Sequence, residues 1–189
     1  DVPYVSVRAR KDDRERIIAV LEQLLPLAED LKLKILVKTC DIYADTAKLR
    51  DLMNYFASDG LAALWSVHHP YREKGETPAD TIRNLGAYVR HVHLRDSADD
   101  GSFRIIGEGT LPVSEIMDAL SSVNYDDFIS VEWKCAWLPE IDDPEIIFAH
   151  FVTYMNRFDN PHSKKRQLYF NHDHTGEYVW KKEDLIDET

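Results

Sequence analysis

An α/β fold is predicted, and within it the C-terminal five βα units of a (β/α)8 barrel. Five apolar, β-branched runs, at residues 2–8, 34–39, 61–67, 89–94 and 127–133, alternate with helical patterns, as βα units around a parallel sheet do. The runs recur about every 31 residues, so eight such units would fill the ~250 residues of a complete barrel. The competing open, doubly wound sheet is disfavoured because the first βα turn lacks the Gly-rich fingerprint of a dinucleotide fold.

Between the strands the helices announce themselves by period and cap. Residues 12–31 place Ile17, Leu21, Leu24, Ala28 and Leu31 on one face, with Asp12 and Glu15 as a capping pair and Pro26 as an expected kink. Residues 46–57 carry Leu49, Leu52, Met53 and Phe56 at helical spacing. A third helix opens at Thr77-Pro78, a Thr cap followed by proline at the first helical position. A fourth covers 113–123, and a fifth opens at Asp143-Pro144 and turns Ile147, Phe151 and Tyr154 inward. Asp99-Asp100-Gly101-Ser102 followed by Phe103 predicts a small hairpin over the barrel mouth. Residues 1–158 therefore read as the barrel domain. The polar stretch from 159 to 189 reads as a linker and the start of a following domain, with His172-Asp173-His174 as a solvated turn.

The formal charge is −11, from 23 basic and 34 acidic residues. This surplus repels phosphate backbones and no basic cluster offsets it, so nucleic acid is not an expected partner. No apolar run approaches the roughly 18 residues of a membrane span, so no membrane partner is expected. Cys40 and Cys135 lack metal or redox spacing and read as reduced thiols, which suits the cytoplasm.

Side-chain alternation then sorts the strands. Ile129, Val131 and Trp133 face the helices, which turns Phe128, Ser130 and Glu132 into the barrel; Val92 and Leu94 face out, which turns His91 and His93 in. Trp65 and Val67 face out and Ser66 in, and Lys38 shares the inward set with Leu36. Lys38, Ser66, His93 and Glu132 thus meet at the C-terminal ends of four strands, where barrels keep their chemistry. The plainer alternative is an internal Lys38–Glu132 salt bridge with hydrogen-bonded core histidines. Four polar positions at one depth favour a site, because buried ionisable groups need partners, a metal or a polar ligand.

The stretches Trp65-Ser66-Val67-His68-His69-Pro70-Tyr71-Arg72, His91-Val92-His93-Leu94-Arg95-Asp96, Ile106-Gly107-Glu108-Gly109 and Phe128-Ile129-Ser130-Val131-Glu132-Trp133 resemble the second half of xylose isomerase-like TIM barrels. That group includes sugar and sugar-phosphate isomerases, epimerases and the endonuclease IV proteins. More narrowly, the chain resembles the barrel found ahead of an AMP-forming acyl-CoA synthetase, with residues 178–187 as the run into that domain. The resemblance implies a divalent ion, manganese, magnesium, cobalt or zinc, held by Glu, Asp, His and Glu of successive strands. Two glutamates then move a proton between neighbouring carbons of a small sugar-like substrate. Position by position, His93 matches the histidine ligand, Glu132 the last glutamate and His69 a substrate-contacting histidine.

Lys38 and Ser66 stand where the resemblance expects the first glutamate and the aspartate. Hard divalent ions need anionic oxygens, so His93 and Glu132 make a poor manganese or magnesium site, and a zinc site would need His69 to turn inward. Lys38 can instead stabilise an enolate as a fixed positive charge, or serve as a base when desolvated. The expected site is therefore catalytic Glu132 and Lys38, a metal on His93 and Glu132, and substrate contacts from His69, Ser66, Arg72, His91 and Asp96. Arg72 is assigned to a substrate phosphate or carboxylate, and Asp96 to orienting His93 or a basic neighbour. The leading reading is an isomerase- or epimerase-like barrel. The alternative is a non-catalytic, regulatory ligand-binding barrel attached to an acyl-CoA synthetase. A five-unit barrel has an unpaired edge at residues 2–8, so self-association is expected.

Overall fold

The computed structural model describes residues 3–133 and 143–158. Five strands make one parallel sheet in chain order: β1 (Tyr4–Val7), β2 (Lys34–Lys38), β3 (Leu61–Ser66), β4 (Val89–Leu94) and β7 (Ile129–Val131). Strands β5 (Asp96–Ser97) and β6 (Phe103–Arg104) form a separate antiparallel hairpin between β4 and β7. Because each strand pairs with the one before it in the winding, the sheet curls in one direction into an open half-barrel. Among the described residues its edges are β1 and β7. The tail from 159 onward, with His172-Asp173-His174, residues 178–187 and the proposed domain boundary, lies outside the described residues, as does Cys135.

Helices α1 (Arg14–Asp30), α2 (Thr46–Phe56), α3 (His68–Lys74), α4 (Pro78–Leu85), α5 (Val113–Ser122) and α6 (Pro144–Met155) complete the described secondary structure together with two short 3-10 turns. Local chemistry sets their starts. Thr77 and Asp80 form a reciprocal capping box around Pro78, and Asp143 caps α6 through the Glu145 amide. The cap of α1 is Asp13, accepting from the Arg16 amide, one residue later than expected, and the helix continues past Pro26 to Asp30. Helix α3 was not anticipated; Pro70 sits in its first turn, where a missing N–H costs no intrahelical hydrogen bond.

The main core lies between the sheet's convex face and the helices: Ile35, Val37, Ala63, Trp65, Val67, Val92 and Leu94 meet Leu21, Leu25, Leu49, Leu52, Leu85, Ile116 and Leu120. A smaller apolar plug of Leu36, Ala62 and Leu64, with Tyr4 against it, fills the concave side. Strand β4 carries a bulge. Ala63 pairs with Val89 but Leu64 pairs with His91, so Arg90 is the extra residue. The bulge resets the alternation, which lets Val89 and Val92 both join the convex core while His91 and His93 lie on the other face.

Candidate functional site

The polar layer begins where the apolar plug ends. Lys38, the last residue of β2, and Ser66, the last of β3, are fixed by Thr39, whose hydroxyl accepts from the Ser66 amide at 2.8 Å and donates to the Ser66 carbonyl at 3.3 Å. Glu132 follows β7, and its amide donates to the Leu94 carbonyl at 2.8 Å. Its carboxylate reaches across the half-barrel: Lys38 Nζ donates to Oε1 at 2.6 Å, and Ser66 Oγ lies 3.4 Å from Oε2. Arg95 Nη1 stands 3.8 Å from Oε2. Burial raises the Glu132 pKa, but the Lys38 hydrogen bond and the charges of Lys38, Arg95 and His93 outweigh it, holding the group below the ordinary carboxylate value.

Arg95 links this carboxylate to two histidines of α3. Its Nη2 donates to His68 Nδ1 at 3.0 Å and to His69 Nε2 at 3.2 Å, and its guanidinium stacks over Phe103 of the hairpin at 5.1 Å. Arginine has no acceptor, so both histidines must offer lone pairs to it. Each is therefore neutral, with its second nitrogen carrying hydrogen: His68 Nε2 donates to Ser97 Oγ at 3.1 Å and His69 Nδ1 to Glu73 Oε1 at 2.6 Å. Burial and the nearby Arg95 charge push His68 down to about 4, and burial lowers His69 as well. Arg95, His68 and Glu73 were not among the expected site residues. The signals were present in the charged residue directly after β4 and in the i, i+4 spacing of His69 and Glu73.

His93 and His91 line the same concave face, with rings edge-to-face at 5.2 Å. His91 Nε2 is hydrogen-bonded to Ser130 Oγ at 2.9 Å, deeper in the half-barrel than Glu132. Burial, then Lys38, depresses His93 to about 4, and its buried Nδ1 has no hydrogen-bond partner among the described residues.

The donor set does not fit a divalent ion. An ion on His93 and Glu132 would have to displace the Lys38 ammonium from the carboxylate and would still sit beside that charge. Ser66 offers a neutral hydroxyl, and the His69 Nε2 lone pair faces the Arg95 guanidinium, so a metal there would sit against a second positive charge. Among the described residues no three His, Cys, Asp or Glu side chains converge as a metal site.

Asp96 and Arg72 lie beside the site in other roles. The Asp96 carboxylate accepts four backbone N–H groups, those of Ser97, Leu111, Gly107 and Gly109, at 2.7 to 3.1 Å. It pins residues 107–111, the segment that follows β6, and its hydrogen bonds go to these amides and to that of Ser97 instead of to His93. Arg72 donates to Ser97 Oγ and carbonyl, Thr110 Oγ1 and Asp99, so four of its five N–H groups tie α3 to β5 and the segments around it. Gly107 has φ +88°, and a Cβ there would meet the Tyr154 ring; a Cβ at Gly109 would meet Asp96. The predicted hairpin is present as β5 and β6, and its Phe103 ring lies against the Arg95 guanidinium.

Comparison with known proteins agrees with this architecture. A family model described as a xylose isomerase-like TIM barrel matches residues 3–150. An uncharacterised protein of Methanocaldococcus jannaschii is 25% identical over 126 residues, which cover 61% of this chain and 42% of that protein. Among solved structures, the IolI protein with a bound zinc atom superposes with TM-score 0.62 at 18% identity, covering 82% of this chain and 62% of IolI. D-psicose 3-epimerase with D-tagatose from Clostridium cellulolyticum gives TM-score 0.62 at 16% identity, covering 79% of this chain and 56% of the epimerase. The chain thus spans less than two thirds of the length of each of these relatives.

Proposed function

This chain belongs to the xylose isomerase-like TIM-barrel family, and from that premise we propose that its barrel moves a proton between neighbouring carbons of a small polyhydroxy substrate. Such a barrel is isomerase- or epimerase-like, with Lys38 supplying the positive charge that a divalent ion supplies in a metal-dependent relative. The observation that carries this reading is the Lys38–Glu132 contact of 2.6 Å at the carboxyl rim. Taking a proton from a carbon beside a carbonyl builds negative charge on the carbonyl oxygen, so the reaction needs a base and a fixed cation within one substrate's length. Glu132 is ionised at neutral pH and provides the base. Lys38 and Arg95 provide the charge. A substrate oxygen that draws Lys38 toward itself also removes the hydrogen bond that depresses Glu132, and the carboxylate becomes more basic when the substrate is in place.

One observation favours a second reading. At 2.6 Å the pair is closed on itself, and a neutralised pair suits a barrel that binds a ligand without turning it over, a regulatory domain attached through residues 159–189 to an acyl-CoA synthetase. Two cysteines without metal or redox spacing suit a cytoplasmic location for either. Incubation with ketoses and ketose phosphates in D2O containing EDTA decides between them. The enzyme reading expects deuterium at the carbon beside the carbonyl, lost in Glu132→Gln. Calorimetric binding without isotope exchange establishes the ligand-binding reading and ends the enzymatic one.

A further inference from the structure

We propose that His69, oriented by Glu73, is the second proton carrier of the site, serving the substrate's hydroxyl while Glu132 serves its C–H. This rests on the proton-transfer reading above and adds a residue pair to it. The geometry comes from α3. His69 and Glu73 lie one helical turn apart, and the 2.6 Å bond from His69 Nδ1 to the Glu73 carboxylate leaves the lone pair on Nε2. That nitrogen faces Arg95 Nη2 at 3.2 Å, and the other end of the same guanidinium faces Glu132 Oε2 at 3.8 Å. One planar group thus separates two bases. His69 is largely enclosed, with 17% of its side chain exposed, whereas Glu73 reaches the surface at 45%.

Moving a carbonyl between neighbouring carbons needs two protons to travel, one on carbon and one on oxygen. With a single rim glutamate, the described residues offer Glu132 for the first. For the second, the lone pair of His69 Nε2 takes the proton of the hydroxyl next to the carbonyl. The O–H bond breaks, the electron pair stays on oxygen, and an imidazolium forms against the Glu73 carboxylate. The same proton returns to the former carbonyl oxygen when the enediolate collapses the other way, so His69 ends the cycle neutral. Arg95 must release its 3.2 Å bond for this, and its N–H then turns to the oxyanion. The charged and titratable groups around His69 are Glu73 and His68 on its own helix, Arg95 after β4, Lys38 at the end of β2 and Asp41 beyond it.

Glu73 is a positioning residue, so its test reads the His69 Nδ1–H bond directly. Long-range 1H–15N spectra of the imidazoles of the 189-residue chain should show His69 protonated at Nδ1, and Glu73→Ala should move the Nδ1–H proton well upfield by removing the 2.6 Å bond to the carboxylate, while Arg95 keeps the lone pair on Nε2. Glu73→Asp, which keeps a carboxylate, should restore part of the original shift. An unchanged Nδ1–H proton in Glu73→Ala would overturn the proposal whether or not the protein catalyses exchange. In the D2O assay, Glu73→Ala should lower the turnover of isomerisation about a hundredfold with KM nearly unchanged, and wild-type rates in that variant would equally overturn it. Absence of exchange in wild type together with an Nδ1–H His69 refutes the proton-transfer reading and the carrier role, while leaving the oriented pair intact. The two failures are therefore told apart.

Discussion

Lys38 Nζ donates to Glu132 Oε1 at 2.6 Å across 94 residues of sequence, joining the end of β2 to the end of β7. Both side chains are mostly enclosed, at 16% and 17% exposure. A pair in that setting is only weakly favourable against apolar replacements, because each charge was taken out of water to make it, but removing one member strands the other. Lys38→Met and Glu132→Leu should each lower the unfolding free energy by about 2–3 kcal/mol, and the double variant by clearly less than the sum. Urea denaturation of the four proteins in the cycle checks this. Additive losses would mean the two groups do not meet in solution.

The inward parity that joins these two residues was readable from the strands themselves, since Ile35 and Val37, Trp65 and Val67, and Val92 and Leu94 mark the helix-facing side without ambiguity. What the sequence hid was short-range. The β4 bulge at Arg90 shows in the sequence only as the three-residue step from Val89 to Val92, which the alternation read from Val92 and Leu94 passes over. Helix α3 looks like a loop because Pro70 is read as a breaker unless its first-turn position is known. The sequence assigns Arg72 and Asp96 to ligand contacts because charge beside a site attracts that reading; in the fold their hydrogen bonds go to Ser97, Thr110 and the amides of residues 107–111.

The buried histidines set a pH dependence with a definite sign. His68 and His93 titrate near 4 in the folded chain against about 6.5 when exposed. The unfolded chain therefore binds more protons between those values, and stability must rise with pH across that window and flatten above it. The expected slope is at most about 1.4 kcal/mol per pH unit for each histidine. His68→Gln should remove one histidine's share between pH 4 and 6.5 and leave the remainder. A stability curve equally steep in the variant would show that His68 is protonated or exposed in the native state.

Asp96 should prove costlier to lose than any loop charge ordinarily is. Asp96→Ala leaves four backbone N–H groups without their acceptor in a place where water reaches poorly, an effect on the order of 3 kcal/mol. Hydrogen exchange localises it: the amides of Gly107, Gly109 and Leu111 should lose protection together, while those of β2 and β3 change little. Gly109→Ala should produce a similar exchange pattern, because its new methyl would meet the Asp96 carboxylate. Protection retained at all three amides in Asp96→Ala would assign the loop's order to other contacts.

Divalent ions should leave the folded state indifferent. A ligand that binds the native chain raises its melting temperature by mass action, and here the ammonium of Lys38 already occupies the Glu132 carboxylate. Melting temperature should therefore agree within about 1 °C with EDTA or with millimolar manganese, magnesium, cobalt or zinc. A rise of several degrees that disappears in Glu132→Gln would establish the metal centre that this donor set argues against.

The flank of the half-barrel predicts self-association. On α1, Val20, Leu24 and Leu27, with Leu31 at its C-cap, are 46%, 37%, 58% and 69% exposed, at the spacing of one helical stripe, and Val5 of β1, an edge strand among the described residues, is 45% exposed. An exposed apolar stripe and an edge strand are each surfaces that favour association. The 189-residue chain should sediment as a dimer or larger at tens of micromolar and bind a hydrophobic dye. Leu24→Lys with Leu27→Glu should shift it toward monomer and reduce dye fluorescence several-fold. The helix keeps its charges and its buried face of Leu21, Leu25 and Ala28 in that variant, so folding is retained. A wild-type chain that runs as a dye-negative monomer would show that this stripe is covered from within the chain.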